Sequence, residues 1–453
     1  MSSVGFHIPD RQTPYMFPAS PDGWLPPDHF ARFVVEVVEN LDVSSIVNVY
    51  NARGKQAYHP KLLLALLFYG YATGVYSSRK IERATYDSVA FRYISGDMHP
   101  DHDTISTFRK RFLPQLGALF VQILQIAREM GFLALGTLSL DGTKMKANAS
   151  KHSALSWEYA NKIEEQLKNE VEELLRKSED ADNESVPDGL DIPEELSRRE
   201  DRLAAIARAQ KEIARRAQER HQEEQFEYEK KMTAREEKAR SSGKKARGKE
   251  PTPPKDDGPG KADQVNLTDS DSRIMCVSCV GFEQCYNAQA GVDVESMLII
   301  THNVTQNAND KRELEPFLES VAALPEELGH VNSILADAGY YSESNVESAV
   351  GRGITPYICA GREPHNQSLS ERFSYEEPFI SQDPLTQMKN RLKTREGREL
   401  YARRKSTVEP VFGVIKAIMG FRQFLLRGIE SVKGEWDLVC IAWNLKRLHA
   451  LRR

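Results

Sequence analysis

The sequence predicts an α/β protein: a mixed sheet with flanking helices, an all-α region before it and a helical insertion within it. Three patterns predict this. Leucines recur at helical spacing early in the chain, a stretch dense in Glu, Lys, Arg and Ala over residues 155–264 breaks the globular pattern, and short apolar runs alternate with helical ones from Phe282 onward.

The chain has 453 residues, 40% hydrophobic and 28% charged, close to the averages of globular proteins that bury a core without disulfides. Its longest apolar run, residues 62–76, contains Gly70 and Gly74 and falls short of the roughly 20 residues that cross a bilayer. A buried helix is expected there, and no membrane partner. The opening MSSVGFHIPD lacks the basic and apolar regions of a secretory leader, and the five cysteines are an odd set, so a reducing, cytoplasmic setting is expected. Cys276, Cys279 and Cys285 would make three zinc ligands, without the fourth that structural sites use.

Taken in order, residues 1–26 read as an irregular arm rich in Pro, Ser and polar groups. Residues 27–131 read as helices, with Leu62, Leu63, Leu66 and Leu67 forming a stripe packed on a core. From Ser78 to Arg111 two or three short helices are expected, with Asp103 the N-cap of one that carries Arg109, Lys110 and Arg111. A helix-turn-helix and an ordinary bundle with a basic exposed face fit this stretch equally. Residues 138–141 then alternate as a strand ending on Asp141, and residues 142–148, with Lys144 and Lys146, read as a second strand reached by a tight turn. The insertion follows. Ile163, Leu167, Val171 and Leu174, then Leu196, Leu203, Ile206, Ile213 and Ala217, run near heptad spacing with polar Gln210 interrupting. Two helices are therefore expected to pair as an antiparallel, coiled-coil hairpin turning at DNESVPDGLDIP, with a disordered tail at 241–261. Beyond it come strands at 286–294 and 298–304, a helix at 311–323, a strand at 331–336 closing on Asp337, a helix at 342–350 and a strand at 354–359. Residues 361–400 read as polar and irregular, and two helices close the chain. This order is that of an RNase H-like mixed sheet interrupted by the hairpin.

Asp141 and Asp337 both end apolar strands, at the edge of an open sheet where ligands collect. Glu409 begins a helix, with Ser406 or Thr407 as its cap and Pro410 in its first turn. Lys416, seven residues on, falls about 20° from Glu409 around that helix. A lone Asp or Glu is usually a surface or capping carboxylate, but three converging would repel one another unless divalent cations lay between them. Mg²⁺, or Mn²⁺ in its place, takes oxygen ligands and leaves positions for water and phosphate oxygens. Two such ions about 4 Å apart carry in-line phosphodiester chemistry. The net charge of −5 hides a basic C-terminal region, with 16 Lys and Arg against 6 Asp and Glu over residues 386–453. That surplus suits a polyanion or is a solvated face without a partner. On the first reading Lys416, with Arg404 and Lys405 just before the helix, holds a DNA strand by its phosphates.

Six strings resemble, in order, those of the DDE transposases of bacterial insertion sequences: DGTKMKANAS at 141–150, NLTDSDSRIM at 266–275, YNAQAGVD at 286–293, ILADAGYYSESN at 334–345, VEPVFGVIK at 408–416 and FLLRGIESVKGEW at 424–436. The resemblance implies that Asp141, Asp337 and Glu409 match a triad that binds two Mg²⁺ ions. Many such enzymes also carry a Tyr and an Arg before the Glu and a Lys seven residues after it. Lys416 matches that Lys, whereas the Arg and Tyr positions fall on Lys405 and Ala402. The implied organisation is a DNA-binding domain at 27–131, a catalytic domain at 132–154 and 265–453, and the hairpin insertion at 155–264. The implied activity is binding of double-stranded DNA at terminal inverted repeats, cleavage at the ends and joining of the 3′-hydroxyls to target DNA, by a homodimer or larger assembly. Lys144, Lys146, Arg109, Lys110 and Arg111 join Arg404, Lys405 and Lys416 as expected DNA contacts. A copy that grips DNA ends without catalysis is the alternative, against which the presence of all three acids speaks. A coiled-coil interaction protein is a third reading, weakened by the absence of heptads beyond this one hairpin.

Overall fold

The structure, a computed structural model, describes residues 20–50, 57–181, 192–242, 250–277, 280–361 and 374–453. The chain divides into two compact units, one of Met1–Thr143, Asn287–Arg422 and Glu430–Arg453, the other of Lys144–Tyr286 and Gln423–Ile429.

The first unit opens with helices α1 (Phe30–Asn40), α2 (Ser44–Val47), α3 (Pro60–Thr73), α4 (Ser78–Asp87), α5 (Val89–Ser95), α6 (His102–Phe112) and α7 (Leu116–Glu129). The apolar run is α3, buried continuously from Leu63 to Ala72. Pro60 starts it where a missing N–H costs nothing, and Gly74 ends it at φ +83°, a left-handed cap. The cap of α6 is Asp101, whose carboxylate accepts from Thr104 N–H at 2.7 Å. Asp103, expected in that role, instead lies in the first turn.

The strands are β1 (Thr137–Lys146), β2 (Ala154–Ser156), β3 (Gln264–Asn266), β4 (Arg273–Val277), β5 (Gly281–Asp293), β6 (Ile299–Thr305), β7 (Ser333–Ala336) and β8 (Thr355–Ile358). The expected hairpin at Gly142 does not form. β1 runs straight through it, because β5, a strand far away in sequence, lies alongside and takes up its ladder. In the first unit the sheet order is β6-β5-β1-β7-β8. β6 is antiparallel to β5, and β7 is parallel to both β1 and β8.

In the second unit, α8 (Trp157–Ala181) and α9 (Ile192–Ser242) pack together through Ala160, Leu167, Ile206, Ala209 and Ile213, joined by Leu155 of β2 and Val265 of β3. Gln210, the polar break in the seam, bonds Asn161 at 2.9 Å and Glu164 at 2.7 Å, so its amide is satisfied. The string at 266–275 is structural here: Asp269, 3% exposed, accepts from the Tyr286 hydroxyl at 2.9 Å and from Gly428 N–H at 3.2 Å. Residues 1–19, the hairpin turn at 182–191, residues 243–249 of the expected tail and Cys279 lie outside the described residues.

Helices α10 (Leu314–Ala322) and α11 (Glu343–Gly351) fall where expected. The stretch read as irregular contains α12 (Pro384–Arg391) and α13 (Arg395–Ala402). Their buried residues are only Met388, Asn390 and Gly397, which leaves no apolar stripe to read. Last come α14 (Val408–Gly413) and α15 (Ile429–Arg452). Largely buried, α15 fastens the sheet: both amide atoms of Asn444 bond the Ile299 backbone at 2.8 Å, and Trp436 Nε1 donates to Gln289 O at 3.1 Å. Among the described residues no helix is long and apolar enough to cross a membrane.

Candidate active site

β1 and β7 run parallel with Leu140 beside Ala336, so Asp141 and Asp337 stand at the next step of the same pair, on strands about 4.8 Å apart. Asp141 lies inside β1, not at its end. Its side chain is 18% exposed, and Oδ1 accepts from Gly142 N–H at 2.8 Å. Burial pushes its carboxyl up to about 6, against the pull of the Gly142 N–H and Arg404, with Asp337 and Asp310 adding to the rise. Asp337 leaves β7 into a 3₁₀ turn, where its Oδ1 accepts from Gly339 N–H at 2.8 Å.

Glu409 lies in the first turn of α14. Thr407 takes the expected N-cap position without a side-chain cap, since the hydroxyls of Ser406 and Thr407 donate to Arg403 O instead, at 3.0 and 2.7 Å, across a 3₁₀ turn over Arg403–Ser406. That turn changes which basic residue meets the acids. Arg404 Nη1 lies 3.2 Å from Asp141 Oδ2 and Nη2 lies 3.0 Å from Glu409 Oε1, so one guanidinium fork joins the first and third acids. Tyr401 donates to Ala336 O, just before Asp337, at 3.3 Å. Arg404 and Tyr401 therefore face the acids, and Lys405, selected by spacing, is exposed.

Residues Val414–Ile418 form a π turn, closed by Met419 N–H to Val414 O at 2.8 Å, so 100° per residue does not apply. The Lys416 ammonium donates to the hydroxyl of Thr143, two residues past Asp141. Of the other basic residues, Arg109 is 8% exposed and its guanidinium donates to the Tyr71 hydroxyl at 3.2 Å and Tyr76 O at 3.0 Å. This corrects its expected place on a DNA-facing surface. Tyr71 in turn bonds the wholly buried Glu435 at 2.9 Å, making Arg109 part of a core network. Lys110 and Arg111 are exposed, Arg111 lying 5.8 Å from the Tyr50 ring. Lys144 and Lys146 belong to the second unit, where Lys146 lies 3.5 Å from Glu283.

Residues 19–111 match a family described as a transposase domain, and residues 362–449 match the transposase DDE domain family. No curated protein and no solved structure matches the chain. The second match includes Glu409, Arg404 and Lys416. The chain is a DDE transposase of insertion-sequence type. It is an enzyme that acts on DNA, and its family normally uses divalent metal ions. Among the transposase's described residues, no three His, Cys, Asp or Glu side chains stand close enough together to hold a metal ion as they are arranged.

Around the acids the transposase carries groups that the sequence reading passed over. Asn287 and Gln289 sit buried in β5 and both donate to Asp310 Oδ1, at 2.6 and 2.7 Å. Tyr340, wholly buried, donates to Gln289 Oε1. The available signal was the alternation of polar Asn287 and Gln289 with apolar Ala288 and Ala290 in a buried strand.

Proposed function

We propose that this transposase binds the inverted repeats at the ends of its own element, cuts the DNA there with divalent cations held by Asp141, Asp337 and Glu409, and joins the freed 3′-hydroxyls to target DNA. The observation that carries this reading is that the three acids, from distant parts of the chain, all lie within electrostatic reach of one guanidinium, that of Arg404. Register places Asp141 beside Asp337, and Arg404 ties Asp141 to Glu409. The strand order β6-β5-β1-β7-β8, with β5 antiparallel to β1 as the Val294 N–H to Thr137 O bond at one end and the Ala147 N–H to Gln284 O bond at the other require, and β7 parallel to it, supports an RNase H-like sheet. Three carboxylates are an oxygen-only donor set of the kind Mg²⁺ or Mn²⁺ prefers, and the Arg404 guanidinium stands between two of them as a positive charge.

Bound Mg²⁺ supplies an activated water or 3′-hydroxyl and stabilises the leaving oxygen. The chain's own residues do the positioning. Arg404, 12% exposed, offers two N–H groups in a fork that suits a phosphate once the carboxylates are neutralised by cations. Lys416, next to Thr143, and exposed Lys405 hold the strand by its phosphates. Lys110 and Arg111, at the end of α6, take part in recognition of the element ends. The α8–α9 pair is a coiled-coil insertion, and two copies of the chain hold the two ends.

The test is Mg²⁺-dependent cleavage of DNA carrying the flanking ends of the chain's own locus, by wild type and by Asp337→Asn. Cleavage by wild type that the variant loses is the expected result. Binding of those ends without cutting in either Mg²⁺ or Mn²⁺ overturns the catalytic reading in favour of an end-binding protein.

A further inference from the structure

Asp310 sits in the loop between β6 and α10, outside every string that carried the family resemblance. Its carboxylate is fixed at one end: Oδ1 accepts from Asn287 Nδ2 at 2.6 Å and from Gln289 Nε2 at 2.7 Å. Two glycines make room for it. A Cβ on Gly142, the residue after Asp141, would stand 2.6 Å from Asp310 Oδ1 and 2.2 Å from Gln289 Nε2. A Cβ on Gly339, two residues after Asp337, would stand 2.9 Å from Asp337 Oδ1 and 3.6 Å from Asp310 Oδ2. The same carboxylate thus borders the backbone that follows the first acid and the turn that follows the second.

A cluster of acids would not by itself amount to a site. The second observation is Asn287, which is 0% exposed and spends its Nδ2 on Asn307 O at 3.1 Å and on Asp310. Its Oδ1 has no hydrogen-bond partner among the described residues and lies 3.0 Å from where a Gly142 Cβ would be, beside Asp310. Buried amide oxygens are nearly always satisfied, so an orphan aimed into this space points to a donor or cation that belongs there.

We propose that Asp310 is a positioning residue of the metal-binding acids: its charge strengthens the field that draws the divalent cation, and its hydrogen bonds to Asn287 and Gln289 hold the stretches that carry Asp141 and Asp337. Gln289 extends the hold, since its other amide atom accepts from Tyr340, at the end of the Asp337 turn. Carboxylates that bind metal are commonly oriented by such supporting groups. This rests on the metal-dependent reading given above.

The experiment is Mn²⁺ binding to the full-length protein, followed by electron paramagnetic resonance, with thermal unfolding in parallel. Asp310→Asn keeps an oxygen for both amide donors and removes the charge. It is expected to melt like wild type and to bind Mn²⁺ about tenfold more weakly, the order that one charge several ångströms from a divalent cation produces. The double variant Asn287→Asp with Asp310→Asn moves the charge to the neighbouring side chain, and is expected to return affinity to within about threefold of wild type. That recovery is something a purely structural role would not give, and it keeps the idea testable where the single variant folds poorly. Wild-type affinity in Asp310→Asn, or no recovery in a folded double variant, overturns the proposal while Asp337→Asn still loses binding. Wild type that binds no Mn²⁺ overturns the metal reading and this inference together.

Discussion

Asp141→Asn is expected to make the metal-free protein more stable while abolishing its chemistry. The Asp141 carboxyl is pushed up to about 6, chiefly by burial, from an ordinary value of 3.8. Between those two values the folded chain binds more protons than the unfolded one. The contribution of Asp141 to stability is therefore fully present below about pH 4 and is lost as pH rises through 6. The gap corresponds to about 3 kcal/mol at pH 8, and about half of that at pH 5. Asn keeps an oxygen for the Gly142 N–H and carries no charge, so in EDTA the variant should melt about 3 °C above wild type at pH 8, given the entropy of unfolding a chain of this size. The loss of one partner of Arg404, which still has Glu409 at 3.0 Å, trims that figure. Added Mg²⁺ should raise the melting temperature of wild type and leave the variant unmoved, because on the proposed metal-binding role only wild type keeps the full set of ligands. Thermal unfolding at pH 8 and pH 5, with EDTA and with Mg²⁺, reads all of this. A variant that melts below wild type at pH 8 in EDTA, or a difference that does not shrink toward pH 5, would refute the account of a strained buried acid awaiting a cation.

Arg404→Ala removes the fork between Asp141 and Glu409, and in EDTA should cost about 2 kcal/mol in chemical denaturation, with a larger stabilisation by Mg²⁺ than wild type shows. Arg109→Met breaks the buried network with Tyr71 and Glu435 and is expected to destabilise by about 3 kcal/mol. Lys110→Ala on the exposed side of the same helix should leave the melting temperature unchanged. Gly142→Ala drives a methyl group to within 2.2–3.0 Å of Gln289, Asp310 and Asn287, and should cost about 2 kcal/mol together with Mn²⁺ binding, read by the same titration. Lys405→Ala should weaken DNA binding to all sequences alike and lower the slope of log affinity against log salt by about one, measured by fluorescence anisotropy.

Much of the site was legible because its signals are local. The apolar run that became α3, the strand before Asp337 and the basic bias after residue 386 all sit within a few residues of themselves. The three acids were proposed from strand ends and a helix start: Asp337 does follow β7 directly and Glu409 does lie in a helix's first turn, whereas Asp141 sits inside β1. What local pattern could not reach were choices made by distant partners. Gly142 has the look of a turn residue, and it stays in a strand because β5 pairs along β1 and because Asp310 needs its missing side chain. Spacing chose Lys405, whereas the 3₁₀ turn over Arg403–Ser406 delivers Arg404. Arg109 counted as one of three basic residues on a helix until Tyr71 and Glu435, one from α3 and one from α15, enclosed it.

By itself, then, the amino-acid order determined most of the elements and the family, and singled out the acids as candidates, since periodicity and short strings are properties of adjacent residues. Tertiary structure alone decided which cation stands between Asp141 and Glu409, that Asp310 borders Gly142 and Gly339, and which basic side chains are buried. Those outcomes depend on burial and on charges brought together across hundreds of residues, and no sequence spacing encodes either.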